Sequence, residues 1–263
     1  GEVQRVLVGL GSSFELWGFG ALPGALPEGR YRIEADLTPE QASDAALGFA
    51  LGAYVFDRYK ESKARKVELV WPEGANRGHV QRLAESTELA RDLVNTPAQD
   101  LGPAELAAAV KVEAKRYGAR CTVIEGDKLL QKNYPSVHAV GRAAEQAPRL
   151  VDLRWGKPSH PKVTIVGKGV CFDSGGLDLK PAGGMLMMKK DMGGAAIALA
   201  LAKSVMDAKL PVRLRLLIPA VENAVSGNAF HPMDILSTRK GTTVEVGNTD
   251  AEGRLILSDA LYE

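Results

Sequence analysis

The run VTIVG at residues 163–167 is a short β-branched stretch of the kind that forms a buried parallel strand, and it is followed at once by sequence that does not read as core. Residues 166–194 read VGKGVCFDSGGLDLKPAGGMLMMKKDMGG, dense in carboxylates, lysines and glycines. In open α/β sheets, ligands bind beyond the carboxyl ends of the strands, so a strand running straight into such a segment constrains both the fold class and the place of a site. A second segment of the same character, NTDAEGRL, spans residues 248–255. Together the two offer Lys168, Asp173, Asp178, Lys180, Lys189, Lys190, Asp191, Asp250, Glu252 and Arg254, on turns whose glycines let the backbone approach a ligand. Taken singly, each is ordinary surface or loop chemistry. Gathered at the end of a buried strand, they read as a metal site made of oxygen ligands.

The surrounding pattern predicts an α/β/α sandwich with a mixed, mainly parallel sheet, preceded by a smaller α/β N-terminal domain. In the first part, strands are expected at residues 3–9, 31–35 and 67–71, and a helix over 38–60 that Thr38 can cap. Residues 72–78, with a proline, two glycines and an asparagine, read as the linker, which divides a partial N-terminal domain (1–75) from a second domain (76–263). In the second part, helices are expected over 80–94, 104–117 and 193–206, the last packed closely through Gly193 and Gly194. Strands are expected at 119–124, 137–141, 150–155, 163–167 and 212–221, and residues 253–263 read as the start of a further helix.

Composition narrows the function classes. With 263 residues, 45% hydrophobic and 25% charged, the chain can bury one large core or two smaller ones, and its net charge of +1 gives no electrostatic case for nucleic acid or a membrane surface. No long apolar span is visible, and two cysteines are too few for a disulfide framework, which suits a cytoplasmic protein. His79, His138, His160 and His231 are scattered singly, outside the two segments, and Cys121 and Cys171 read as packed thiols.

The segments resemble the leucine aminopeptidase (cytosol aminopeptidase) family of two-metal exopeptidases. NTDAEGRL stands unaltered at Asn248 to Leu255, joined to a KGxxFDSGG motif beginning at Lys168 and a KxDMGGAA motif beginning at Lys189. The resemblance covers roughly residues 76–263 and implies a metallo-aminopeptidase catalytic domain there. It also implies that the family's domain runs on past residue 263 and that the N-terminal domain is shortened. By resemblance, Lys168, Asp173, Asp191, Asp250 and Glu252 bind two divalent ions, with Asp173 and Glu252 bridging. Lys180 and Arg254 resemble the catalytic pair, Met188 lines the pocket for the substrate's first side chain, and Asn248 contributes to substrate binding. The implied substrates are peptides with a free N-terminus, and the implied assembly is a homo-hexamer. Two other readings fit a chain of this kind: a non-catalytic piece with an assembly role, or a secondary DNA-binding function, against which the near-neutral charge argues.

Elementary chemistry is consistent with these roles. Two dications repel, so bridging carboxylates are needed, and four acidic side chains set charge −4 against +4. Two such ions activate a shared water and polarise a carbonyl carbon, which is metal-assisted amide hydrolysis. Lys168 must then be neutral, well below its unperturbed pKa of about 10.4, through burial and a neighbouring dication. Lys180 would stay protonated and donate to the developing oxyanion. Arg254 cannot act as a base, but its planar fork suits a bicarbonate, which the family is known to hold there, or it could simply fix Glu252. Oxygen ligation favours hard ions, whereas an amine ligand suits Zn²⁺ or Mn²⁺, and these two are the expected metals.

Overall fold

The computed structural model describes residues 4–61 and 66–263. By contact pattern the chain divides into two compact units, Gly1–Glu88 and Leu89–Glu263. The first contains α1 (Leu22–Ala25), β1 (Gly29–Tyr31), α2 (Pro39–Ala53), β2 (Val67–Leu69) and most of α3 (Arg77–Asn95), inside which the division falls.

In this first unit, α2 begins where its sequence says it should. Thr38 accepts from the Gln41 N–H at 3.2 Å and the Gln41 side chain accepts from the Thr38 N–H at 3.0 Å, a reciprocal cap followed by proline at the first helical position. The helix stops at Ala53 rather than near residue 60, because Tyr54 turns to an extended conformation at φ −58°, ψ 132°. β1 and β2 pair in parallel over three residues, Gly29 opposite Val67 through Tyr31 opposite Leu69, so the strand expected at 31–35 lies earlier and is shorter. No strand forms over residues 4–9, and Val3 lies outside the described residues. Leu7 is 92% exposed and Val6 and Val8 are exposed too, so the alternation there has no sheet to face.

The second unit continues with α4 (Pro103–Arg116), β3 (Arg120–Glu125), α5 (Lys128–Gln131), α6 (Pro135–Gly141), β4 (Arg149–Trp155), β5 (Lys162–Val166), β6 (Gly169–Asp173), α7 (Ala182–Met185), α8 (Gly193–Asp207), β7 (Arg213–Asn223), β8 (Ile235–Ser237), β9 (Thr243–Glu245) and α9 (Glu252–Tyr262). β8 and β9 form a separate antiparallel pair. The five-stranded sheet runs β3-β4-β7-β5, with β6 also on β7. β5 and β6 lie parallel to β7, whereas β3–β4 and β4–β7 are antiparallel.

Alternation along the strands sends side chains to two cores. Leu214, Leu216, Ile218 and Ala220 of β7 pack with Leu106 and Val110 of α4 and Leu199 and Ala202 of α8. Val221, with Leu150 of β4 and Val170 of β6, packs against Val137 and Val140 of α6 and Leu255 and Ile256 of α9. The result is the expected α/β/α sandwich on a mixed sheet.

Two expectations about this unit change. Residues 137–141, apolar enough to read as a strand, form α6. Pro135 sits at its first position, and the buried Asp259 of α9 accepts from the N–H groups of Ser136 (2.8 Å) and Val137 (3.3 Å), capping the helix from a distant part of the chain. The second oxygen of Asp259 accepts from the Arg239 N–H at 2.8 Å, and burial still holds this carboxyl above the usual range. Asp259→Ala is expected to lose roughly 2 kcal/mol of stability in denaturant titration, because two buried donors and one half-buried donor lose their acceptor. Among the described residues, the strand at 163–167 pairs on one side, with β7. Val163 is 38% exposed, and the segment that carries the charged cluster is the following strand, β6.

β5 and β6 lie one after the other along the same edge of β7. Val166 sits opposite Leu217, and Gly169 opposite Ala220. Gly167 and Lys168 form the break between them. A Cβ on Gly167 would come within 2.7 Å of Ala195 Cα, and one on Gly194 within 3.2 Å of the Lys168 nitrogen. The Lys168 carbonyl accepts from the Ala195 N–H at 2.9 Å. The start of α8 therefore presses against the break where Lys168 leaves the sheet, the close packing expected of Gly194. Gly193 makes only a distant contact, with its nearest neighbour 3.9 Å from a built Cβ.

Candidate metal centre

The cluster forms at the carboxyl ends of β6 and β7, where the chain from β6 meets the turn that leads into α9. Asp173 ends β6 and is 3% exposed. After it, Gly175 and Gly176 adopt φ +90° and +66°, conformations that L side chains rarely take, and reverse the chain toward Lys180. Asp173 Oδ1 accepts from the Gly175 N–H at 2.9 Å, and the Lys180 N–H donates to the Ser174 carbonyl at 3.0 Å, closing the turn.

The NTDAEGRL segment forms a single 3₁₀ turn, Thr249–Ala251, and then the first turn of α9. Asn248 caps the 3₁₀ turn, its side-chain oxygen accepting from the Asp250 N–H at 2.7 Å. Glu252 opens α9 and is fully buried, its charge placed at the positive end of the helix. Gly253 leaves room for the Lys168 side chain, since a Cβ there would lie 2.8 Å from Lys168 Cε and Nζ. The two segments are locked through Thr249. Its N–H donates to Asp178 Oδ2 at 2.7 Å, its hydroxyl donates to the Gly175 carbonyl at 2.6 Å, and the same hydroxyl accepts from the Asp178 N–H at 2.8 Å.

Carboxylate oxygens of Asp173, Asp250 and Glu252 all lie within 4.8 Å of one another, and no histidine or cysteine belongs to this group. Two lysines thread it. Lys168 Nζ is 2.9 Å from Asp191 Oδ2 and 2.7 Å from Glu252 Oε1, while Lys180 Nζ is 3.0 Å from Asp173 Oδ2 and pairs with Asp250. Four carboxylates and two ammonium groups leave a formal −2. Burial opposes the charge of Lys168, but pairing with Glu252 and Asp191 outweighs it and raises the pKa. Lys180 is raised in the same way by Asp250 and Asp173. The two carboxylates that favour the proton on this amine are the ones expected to share an ion with it, so an ion there would take the proton's place. For Glu252, burial first and the charge of Asp173 second push the pKa up to about 7, against the pull of Lys168.

The residues fit a divalent cation. Asp191 Oδ2, Asp250 Oδ1 and both oxygens of Glu252 are buried without a hydrogen-bond partner, although three of them touch an ammonium nitrogen. Of these, Glu252 Oε2 alone meets neither a donor nor an ammonium, a costly state for a buried carboxylate oxygen, and the cluster's formal −2 adds to its attraction for a cation.

The remaining expected residues stand apart from the ring of contacts. Arg254 is exposed on the first turn of α9 and makes no ion pair with Glu252, so the reading in which it merely fixes that carboxylate is not seen. Met188 is half-buried on the 3₁₀ turn Met188–Met192 that also carries Asp191. Lys189 donates to the Asn95 carbonyl at 2.5 Å, away from the carboxylates. A cavity of about 500 Å³ beside β5, β7 and the end of α9 includes none of the cluster residues. Sequence reasoning missed Asn223, which is 1% exposed and donates to Asp173 Oδ1 at 2.8 Å. The signal was an asparagine closing a long apolar strand at the sheet's ligand-bearing end.

Comparison with known proteins decides the family. The description "Cytosol aminopeptidase family, catalytic domain" matches residues 88–263, and "M17 aminopeptidase, N-terminal domain" matches residues 1–72. The chain belongs to the cytosol aminopeptidase family. A probable cytosol aminopeptidase of Geobacter sulfurreducens is 40% identical over 242 residues, covering 87% of this chain and 49% of that protein. The crystal structure of the cytosol aminopeptidase from Coxiella burnetii is 50% identical with a TM-score of 0.90, over 95% of this chain and 55% of that one. The bottromycin maturation enzyme BotP in complex with Mn is 38% identical with a TM-score of 0.85, over 94% and 55%. The chain therefore spans about half the length of the family members it matches. Among the described residues, no helix is long and apolar enough to cross a membrane.

Proposed function

We propose that this chain carries the metal centre of an aminopeptidase that removes N-terminal leucine and similar apolar residues from peptides by a two-metal-activated water. The observation that carries the reading is the convergence of Asp173, Asp250 and Glu252 from two distant segments within 4.8 Å, with Glu252 Oε2 buried among them without a partner. Asp173, Asp191, Asp250, Glu252 and the Lys168 amine would hold the ions. When bound, the ions supply an activated water at neutral pH and an electrophile for the carbonyl oxygen.

The chain's own residues do the rest. Lys180, kept protonated by Asp250 and Asp173, donates to the carbonyl oxygen as it gains charge, a contribution of roughly 3 to 4 kcal/mol in comparable sites. Arg254 cannot take a proton, and its exposed guanidinium is free to hold a bicarbonate that can. Met188 borders the pocket for the first side chain, and Asn248, which caps the turn that carries Asp250, contributes to substrate binding. Zn²⁺ or Mn²⁺ is the proposed metal, and the BotP structure with Mn supports the second. Residues 1–75 and 76–263 are proposed as the N-terminal and catalytic domains, and a cytoplasmic homo-hexamer as the assembly.

The test is p-nitroaniline release from leucine p-nitroanilide after chelation and return of Mn²⁺ or Zn²⁺, with Asp250→Ala as control. Metal-dependent turnover that the variant loses is the expected result. Turnover that survives chelation, or that Asp250→Ala retains, would overturn it.

A further inference from the structure

Asn223 ends β7 directly opposite Asp173 in the parallel register, at the point where the pairing of β6 with β7 shifts between Val170 and Asp173. Its Nδ2 donates to Asp173 Oδ1 at 2.8 Å and to the Thr249 carbonyl at 3.0 Å. Its own carbonyl accepts from the Ser174 N–H at 3.1 Å and the Ser174 hydroxyl at 2.7 Å. Both amide hydrogens are therefore committed to acceptors, which fixes the orientation of the carboxamide: turned over, its oxygen would face a carboxylate and a carbonyl. In this orientation Oδ1 is buried with no partner, against Gly176, whose Cβ would come within 2.9 Å of it. A group that leaves one buried atom unsatisfied to keep two donors in place is held there by what those donors do.

We infer that Asn223 is a positioning residue for the metal centre, an inference that rests on the metal reading above. By taking Asp173 Oδ1 together with the Gly175 N–H, it leaves Oδ2 to face Lys180 and the cluster. By holding the Thr249 carbonyl, it sets the position of Asp250, the next residue, against Asp173. One side chain thus couples the two carboxylates that come from opposite ends of the site, 77 residues apart in sequence by their numbers, 173 and 250.

The test is calorimetric titration of the chelated chain with Mn²⁺, for the parent, Asn223→Ser and Asn223→Asp, with folding followed by circular dichroism and thermal unfolding in chelator. Ser removes both donors without adding charge. Asp keeps the shape but turns an acceptor toward Asp173 Oδ1. Positioning predicts folded variants whose Mn²⁺ dissociation constants rise about 10- to 100-fold, as for lost partners of metal ligands elsewhere. A role in charge alone predicts the opposite sign for Asn223→Asp, since an added carboxylate attracts cations. Binding within twofold of the parent in Asn223→Ser, tighter binding in Asn223→Asp, or failure of both variants to fold would overturn the inference. Binding by the parent that both variants share unchanged would sink this inference alone, whereas a parent that binds no Mn²⁺ would sink the metal reading and this with it.

Discussion

Glu252→Gln is expected to abolish tight binding of divalent metal while leaving the chain folded. Glu252 is fully buried, pairs with Lys168 at 2.7 Å, and among the described residues has its second oxygen without a partner. Its pKa of about 7 reflects burial and the neighbouring Asp173 charge, which together offset the attraction of Lys168. A carboxylate so placed contributes little to folding, so the melting temperature in chelator is expected to stay within a few degrees of the parent. Its contribution to cation binding is large. One unit charge on another at roughly 4 Å is worth about 4 kcal/mol at the effective dielectric of such sites, on the order of a thousandfold in affinity. Titration of the variant with Mn²⁺ checks both halves. A variant that unfolds in chelator would make Glu252 a structural residue, and one that binds as the parent does would remove it from the site.

Gly175→Ala is expected to damage stability and site together. Gly175 sits at φ +90°, and a Cβ there would lie 2.4 Å from the Asp178 carbonyl oxygen and 3.0 Å from the Lys180 nitrogen. Both are backbone atoms, so no side-chain rotation relieves the clash. The left-handed conformation costs an L residue about 1 to 2 kcal/mol, and overpacking adds roughly 1 to 3 more. Any relaxation moves the turn that carries Asp173, Asp178 and Lys180, and with it the Thr249 lock. Chemical denaturation is expected to show a loss of several kcal/mol, and Mn²⁺ titration a weakened site in whatever fraction folds. A variant as stable as the parent would mean that the turn is softer than its contacts imply.

The candidate site was legible in the sequence because its chemistry is local in two places. Lys168, Asp173 and Lys180 flank β6 and the turn after it, Asp250, Glu252 and Arg254 lie on the short run into α9, and the glycines among them are the ones that the backbone needs at Gly175, Gly176 and Gly253. The helices α2 and α4 were legible for the same reason, since Thr38 and Gln41, or Gly102 with Pro103, mark their starts within four residues. What was not legible depended on partners far along the chain. Residues 137–141 became helix because Asp259 caps them across more than a hundred residues. Asn223 was invisible because its two acceptors, Asp173 and Thr249, are brought to it only by the pairing of β6 with β7. Apolar runs report that burial is available, and topology decides where it is used.

The most direct measurement of the central claim is the stoichiometry of Mn²⁺ binding to the chelated chain by calorimetry, with Asp250→Ala alongside. The account predicts two ions per chain for the parent and loss of at least one in the variant. Absence of binding, or binding that Asp250→Ala leaves unchanged, would contradict it.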